Sequence, residues 1–293
     1  MTTAGPVSAG TEVLGISPEE LRAIVQRALS EDLGEGDLTT RLTIPAGRKA
    51  QGTFYSKQPL VLAGLPVAVE VFQTLERSCE FVALVAEGTE VPPGEPLAKV
   101  EGKAATLLSG ERVALNFLQR LSGIATLTQT FKKQIAGLKT ELLDTRKTTP
   151  GLRALEKYAV RMGGGRNHRL GLDDGILIKN NHLLFAGGIR AAVEKARAQR
   201  PLAIPVEVEV RTLAELEEAI SSGADIALLD NMTPDLVARC VEGAAGRVRL
   251  EVSGGVNQDN IRAYAETGVD RVSVGALTHS APAADINFLI EPL

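Results

Sequence analysis

The sequence predicts an α/β protein, an incomplete parallel (TIM-like) barrel preceded by an α+β region. Three observations predict it. A strand-then-helix unit recurs through the last half of the chain, with strand ends at Glu209, Asp230, Ser253 and Gly275 spaced 21, 23 and 22 residues apart. The strands are short and rich in apolar residues, as a parallel sheet covered by helices requires. Each also carries polar residues at or just past its C-terminal end, the face where such barrels build their active sites. With the runs at 141–144 and 175–179, the strands number six rather than the eight of a closed barrel.

Along the chain, residues 1–16 are small and polar and read as a flexible tail, without the basic and apolar regions of a secretory signal. The first helix starts at Ser17-Pro18-Glu19-Glu20, a capping box with proline at the first helical position. Leu21, Ile24, Val25, Ala28 and Leu29 supply its apolar stripe, Gly34 ends it, and a turn follows to Asp37. Strand-like segments at 52–56 and 60–62 precede a helix over 66–76. Two further runs, 80–86 and 97–100, flank the turn at Pro92-Pro93-Gly94. A long helix then runs from about 105–110 to about 135, apolar on more than one face and so expected between two layers. Arg153, Lys157 and Arg161 sit at helical spacing after Pro150 and read as a solvated or partner-facing helix surface. The regular half follows, with strands over 205–211, 226–230, 248–253 and 271–275 and helices over 213–221, 234–242 and 258–266. The expected domains are the tail (1–16), an N-terminal α/β domain over 17–115 to which 280–293 return, and a barrel over 116–279.

Hydrophobic content of 44% and charged content of 23% are ordinary for a soluble globular protein. A formal charge of −4 argues against a duplex nucleic-acid binder, and 3% aromatics without tryptophan argue against a base-stacking surface. Two cysteines outside any CxxC form neither a metal framework nor a disulfide scaffold, so a cytoplasmic setting is expected. Against this acidic background, residues 144–182 hold eight basic and four acidic side chains. A local positive field of that kind suits a polyanionic small molecule.

The candidate residues follow from the strand ends. Arg146 and Lys147 end one strand and His168-Arg169 precedes the next; guanidinium forks suit carboxylates and phosphates, with a surface ion-pair set as the alternative. Lys179, after an apolar run, reads as a phosphate ligand or a Schiff-base nucleophile. Glu209 and Asp230 end adjacent strands and suit Mg²⁺ held through water or substrate, or the hydroxyls and developing charge of a ribose; a structural ion pair is the alternative. Glu207 and Glu251 are lesser candidates on the same strands. The loops Ser253-Gly254-Gly255 and Val274-Gly275-Ala276 let backbone N–H groups approach a phosphate. Gly163-Gly164-Gly165 reads either as a second phosphate nest or as a hinge. His182 and His279 lack zinc-ligand spacing and are given no catalytic role.

DTRKTTPGLR (144–153), GGGRNHRLGLDDGILIKNNH (163–182), VEVEV (206–210), LLDN (228–231), VSGG (252–255) and SVGALTHSAPAADINF (273–288) resemble quinolinate phosphoribosyltransferases; EDLGEGDLTT and SGERVALNFLQRLSGIAT match their N-terminal half. The resemblance runs from about residue 17 to the end. It implies an N-terminal sandwich plus an incomplete barrel, working as a homodimer whose sites use both chains. It also implies transfer from phosphoribosyl pyrophosphate to quinolinate with Mg²⁺, giving nicotinate mononucleotide, pyrophosphate and CO₂ in NAD biosynthesis. By matching motif, Arg112, Arg146, His168 and Arg169 would take the quinolinate carboxylates. Lys147 and Lys179 would serve the ribosyl diphosphate, Glu209 and Asp230 the ribose and metal, and the loops 253–255 and 274–276 the 5′-phosphate. Arg112 lies near the start of the long helix, where a cation opposes the helix dipole, so its anion is expected from elsewhere.

Other readings are a nicotinate-specific or molybdenum-linked relative of the same fold, which should lack part of the Arg/His set, and a Schiff-base lyase using Lys147 or Lys179. A carrier-domain reading of residues 80–104 lacks Met-Lys-Met around Lys103.

Overall fold

The structure, a computed structural model, describes residues 14–202 and 204–293. In chain order the elements are α1 (Pro18–Leu33), α2 (Leu38–Thr43), β1 (Lys49–Ser56), β2 (Leu60–Val61), α3 (Leu65–Leu75), β3 (Glu80–Ala83), β4 (Glu90–Val91), β5 (Pro96–Lys103), α4 (Ala104–Gln134), β6 (Glu141–Leu143) and α5 (Arg153–Met162). There follow β7 (Ile176–Ile178), α6 (Asn180–Ala186), α7 (Ile189–Gln199), β8 (Val206–Val210), α8 (Leu213–Ser221), β9 (Ile226–Asp230), α9 (Pro234–Ala244), β10 (Arg249–Ser253), α10 (Ile261–Glu266), β11 (Arg271–Ser273), α11 (Ala276–His279) and β12 (Ile286–Pro292). No helix among the described residues is long and apolar enough to cross a membrane. Most of the expected tail falls outside the described residues, but Leu14 within it is buried, its apolar side chain withdrawn from water.

Two compact units divide the chain. The first takes residues up to Gln129, Thr148–Gly164 and Ser280–Leu293; the second takes Thr130–Lys147 and Gly165–His279. The expected boundary after residue 115 falls inside one uninterrupted helix, α4, where no turn signal marks the change of unit. The units also exchange the segment 148–164, which composition alone does not reveal.

In the first unit β12-β1-β5-β3 form an antiparallel sheet, closed by the C-terminal strand pairing with β1. Its core is aromatic: the Phe54 ring lies 4.3 Å from that of Phe288 and 6.3 Å from those of Phe72 and Phe81. Gly52 makes that packing feasible, since a Cβ there would sit 1.9 Å from Phe288 Cζ. Ser17 caps α1 as its capping box predicts, Oγ accepting the Glu20 N–H at 3.2 Å, and Leu21, Val25 and Leu29 are buried. The short helix α2 is not anticipated by apolar periodicity. It is set by Asp37, whose carboxylate accepts the Thr40 N–H at 2.9 Å. On α3 the N-cap is glycine, and half-buried Glu87 stands in for a cap by accepting the N–H groups of Gly64 and Leu65 at 2.8 and 2.7 Å.

Helix α5 overturns one expectation. Glu156 and Lys157 are fully buried, as is every residue from Leu155 to Val160, so Lys157 does not belong to a solvated face. Charge spacing misleads here because a buried ion pair has the same sequence pattern as a surface one. Glu156 accepts from Arg120 Nη2 at 2.7 Å and from the Thr149 N–H at 3.0 Å, which ties the loop after Lys147 to the first unit's core.

The second unit is a six-stranded parallel sheet in the order β6-β11-β10-β9-β8-β7. Register aligns the C-terminal ends: Asp230 pairs with Ser253, and Ser253 with Ser273. Alternating residues such as Val208, Val210, Leu229, Val252 and Val272 are buried. Beyond β6, Leu143 bridges Arg166 in parallel, with the Arg166 N–H donating to Leu142 at 2.8 Å.

Candidate active site

The strand ends of the second unit surround a cavity of about 560 Å³. Arg146, Lys147, His168, Arg169, Lys179, Glu209, Asp230, Ser253, Gly254, Gly255, Val274, Gly275 and Ala276 all line it, so the residues given a role by matching motif meet at one mouth, Arg112 excepted, while the lesser candidate Glu207 is not in the lining. Arg112 is exposed on α4 in the first unit and does not line this cavity. Its helix belongs, at that point, to the sandwich rather than to the barrel, which strand-end reasoning cannot supply.

Each group is held by local structure. After β6, buried Asp144 accepts from Asn167 Nδ2 at 2.6 Å and from the His168 N–H at 2.8 Å, laying the His168-Arg169 pair beside Arg146 and Lys147. The Lys147 carbonyl accepts from the Thr278 hydroxyl at 2.8 Å. A Cβ on Gly275 would lie 2.9 Å from Lys147 Cδ and 3.2 Å from His279 Nε2, so glycine lets both approach the last loop. Lys179 ends β7 and caps α6; its N–H donates to His182 Nδ1 at 2.8 Å. His182 therefore serves the backbone of Lys179 while its own side chain stays out of the cavity lining.

The acids are equally placed. Glu209 is 9% exposed and accepts the Asn180 N–H at 3.3 Å. Asp230 accepts from Arg211 Nε at 3.3 Å and from Asn231 Nδ2 at 2.8 Å. Both offer hard carboxylate oxygens to the same cavity, the donor chemistry that Mg²⁺ accepts. Asn231 itself has φ of 56°, a left-handed conformation rare for a side-chain-bearing residue and concentrated at functional sites.

Beneath the mouth, His168 Nε2 lies 3.1 Å from Glu207 Oε2 and 3.5 Å from Glu251 Oε1. Burial and the neighbouring Glu207 push the Glu251 carboxyl up to about 7, against the opposing pull of His168, Ser273 and Arg271. Burial and the adjacent Arg146 charge lower the Arg169 pKa, while Glu207 and Asp174 counter them. The Arg146 and Arg169 charges thus act on one another across the cavity lining that they share.

Thr145, Asn231 and His279 also line the cavity although the strand-end argument assigns them no role, and Glu251, a lesser candidate, joins them. The Asp-Asn step at the end of β9 is the signal that points to Asn231. His279 has no spacing signal, because α11 brings it back only through the fold. The three glycines at 163–165 do not line the cavity. A Cβ on Gly163 would lie 2.3 Å from the Ala125 carbonyl, so this glycine permits close helix packing.

Fold and site together define a class: an α/β-barrel enzyme whose mouth, rich in Arg and Lys over two acids, is made for polyanionic small molecules. Comparison with known proteins narrows it. The N-terminal domain model of quinolinate phosphoribosyl transferase matches residues 37–122, and its C-terminal domain model residues 124–289. The chain is 44% identical over 269 residues to the probable nicotinate-nucleotide pyrophosphorylase (carboxylating) of Synechocystis sp., covering 91% of each chain. It is 42% identical over 271 residues to the nicotinate-nucleotide pyrophosphorylase (carboxylating) of Mycobacterium leprae, covering 90% of this chain and 95% of that one. The solved nicotinate-nucleotide pyrophosphorylase from Francisella tularensis matches with a TM-score of 0.91 at 40% identity, over 95% of this chain and 99% of that one. The chain belongs to the quinolinate phosphoribosyltransferase family.

Proposed function

We propose that the protein transfers the phosphoribosyl group of phosphoribosyl pyrophosphate to quinolinate, releasing pyrophosphate and CO₂ and forming nicotinate mononucleotide. The observation that carries this reading is the convergence of Arg146, Lys147, Arg169 and Lys179 with Glu209 and Asp230 on one cavity. A pyridine dicarboxylate and a sugar bearing phosphate and pyrophosphate need that many cations, and displacement at an anomeric carbon needs acids nearby. The names of the Synechocystis and Mycobacterium relatives, 44% and 42% identical to this chain, agree.

Arg146 and Arg169 receive the carboxylates, which aims the pyridine nitrogen at the ribose. Lys147 and Lys179 meet the diphosphate, and the glycine loops at 253–255 and 274–276 take the 5′-phosphate through backbone N–H groups. As the bond from the anomeric carbon to pyrophosphate breaks, Glu209 and Asp230 stabilise the oxocarbenium character of the sugar. The nitrogen closes the new bond; when the C–C bond to the adjacent carboxylate breaks and CO₂ departs, the electron pair left on that ring carbon is stabilised by the neighbouring pyridinium nitrogen and takes up a proton from water. Glu209 and Asp230 are also the residues that would hold Mg²⁺, directly or through water or substrate; the ion supplies charge neutralisation to the diphosphate. Arg112 is assigned to the site of a second copy, in a homodimer with shared active sites, and the setting is assigned to the cytoplasm.

The direct test is incubation with quinolinate, phosphoribosyl pyrophosphate and Mg²⁺, following nicotinate mononucleotide and CO₂. Nicotinic acid should be a poor substitute, because one missing carboxylate leaves part of a cationic pocket unpaired. Comparable kcat/KM for the two acids would overturn the assignment, and undiminished turnover in excess chelator would overturn the metal.

A further inference from the structure

Two acids lie below the mouth that the transfer just described does not use. Glu207 is 4% exposed and Glu251 fully buried, in a barrel whose neighbouring strand positions are Val and Leu. Among the described residues, Glu207 Oε1 accepts no hydrogen bond. Burying carboxylates this way is unfavourable, so stability alone gives no reason for them. What they do hold is an imidazole. His168 Nε2 faces both carboxylates, at 3.1 and 3.5 Å. Its other nitrogen, Nδ1, accepts the Arg169 N–H at 2.8 Å. A ring whose Nδ1 accepts carries its proton on Nε2, where the acids take it up.

The imidazole therefore spans from the barrel interior to the backbone of Arg169. From that anchor the Arg169 guanidinium donates from Nη1 to the Gly175 carbonyl at 3.0 Å. Gly175 leaves the room: a Cβ there would lie 2.9 Å from Arg169 Cβ. Arg169 also stands against the like charge of Arg146, which would turn an unsupported guanidinium away.

We propose that Glu207 and Glu251 are positioning residues that act through His168 to hold Arg169 where it receives one carboxylate of the pyridine substrate. His168 then contacts protein at both ring nitrogens and orients Arg169, which does the binding. This rests on the quinolinate reading of the site.

The test uses the full chain with Glu207→Leu, Glu251→Leu and Glu207→Gln. Three quantities are measured: thermal stability, quinolinate affinity by calorimetry with the KM for phosphoribosyl pyrophosphate, and the His168 tautomer by ¹⁵N NMR. The leucine variants should melt at or above wild type, because an apolar side chain of similar size relieves buried charge. They should bind quinolinate about tenfold more weakly while the KM for phosphoribosyl pyrophosphate stays within about twofold. They should also lose the single Nε2–H tautomer. Glu207→Gln keeps an acceptor for Nε2–H and should restore both tautomer and affinity. Unchanged quinolinate affinity in the leucine variants would overturn the proposal. So would equal weakening towards both substrates with a fall in melting temperature, which marks a merely structural role. If wild type itself fails to bind quinolinate, the functional reading falls; the tautomer then decides the positioning role, and its persistence in the leucine variants would overturn it.

Discussion

Lysine shows at the scale of single residues how position decides role. Lys147 and Lys179 line the cavity, whereas Lys157 is fully buried on α5 in the other unit. Lys147→Ala and Lys179→Ala should each lower kcat by about 10²–10³, the usual loss when a group that meets transition-state charge is removed. Their melting temperatures should stay near wild type. Lys157→Ala should do the reverse, destabilising the fold on the order of 2–5 kcal/mol as large-to-small changes at buried sites do. Steady-state kinetics beside thermal denaturation separate the two outcomes. The left-handed Asn231 makes a second case. Asn231→Gly should preserve the backbone, while Asn231→Val should cost about 1–3 kcal/mol, because a β-branched side chain resists that conformation. Gly254 packs on it, with φ of 92° and an added Cβ only 2.3 Å from Asn231 Oδ1. Gly254→Ala should accordingly raise the KM for phosphoribosyl pyrophosphate.

Among the elements, the junction of α3, β5 and α4 hangs on one carboxylate. Burial raises the Glu76 pKa, but hydrogen bonds from the Thr106 hydroxyl, the Lys103 N–H and the Ser78 hydroxyl, with the Lys103 charge, bring it down to about 2. An acid depressed in the folded state binds fewer protons there than in the unfolded chain. Its contribution to stability is therefore complete above the ordinary value of 4.5 and is lost as pH falls through that window towards about 2. Urea unfolding of wild type should weaken across that window, and Glu76→Gln should flatten this part of the profile. The start of α6 likewise hangs on one side chain, that of His182, which holds the capping residue Lys179. His182→Ala removes the acceptor for the Lys179 N–H and should lower kcat, though by less than Lys179→Ala does.

For the whole molecule, that Arg112 belongs to the first unit and is not in the cavity lining has a direct consequence under the proposed shared-site homodimer. An Arg112→Ala chain and a Lys179→Ala chain, each nearly inactive alone, should recover activity when mixed and allowed to exchange. Random pairing with independent sites returns at most about a quarter of wild-type activity. Absence of recovery despite demonstrated exchange would place Arg112 in the site of its own chain.

The barrel was legible because its signals are local. A strand period near 22 residues, apolar runs and polar strand ends survive in one dimension, since each reflects a neighbour a few residues away. That is why the cavity's cations, acids and glycine loops could be named from the strand ends and matching motifs. What the tertiary structure alone decided involves pairs distant in sequence. Lys157 is buried because α5 packs inside the first unit, and no charge pattern distinguishes that from a wet surface. The unit boundary passes through α4, where an unbroken helix leaves no turn to read. His168, which lines the cavity, also meets Glu207 and Glu251 below it because three separate segments converge there, a contact that its sequence neighbours do not announce. Backbone hydrogen bonding and alternation act over a few residues and are written locally, whereas burial and the pairing of buried charge depend on which segments the fold brings together.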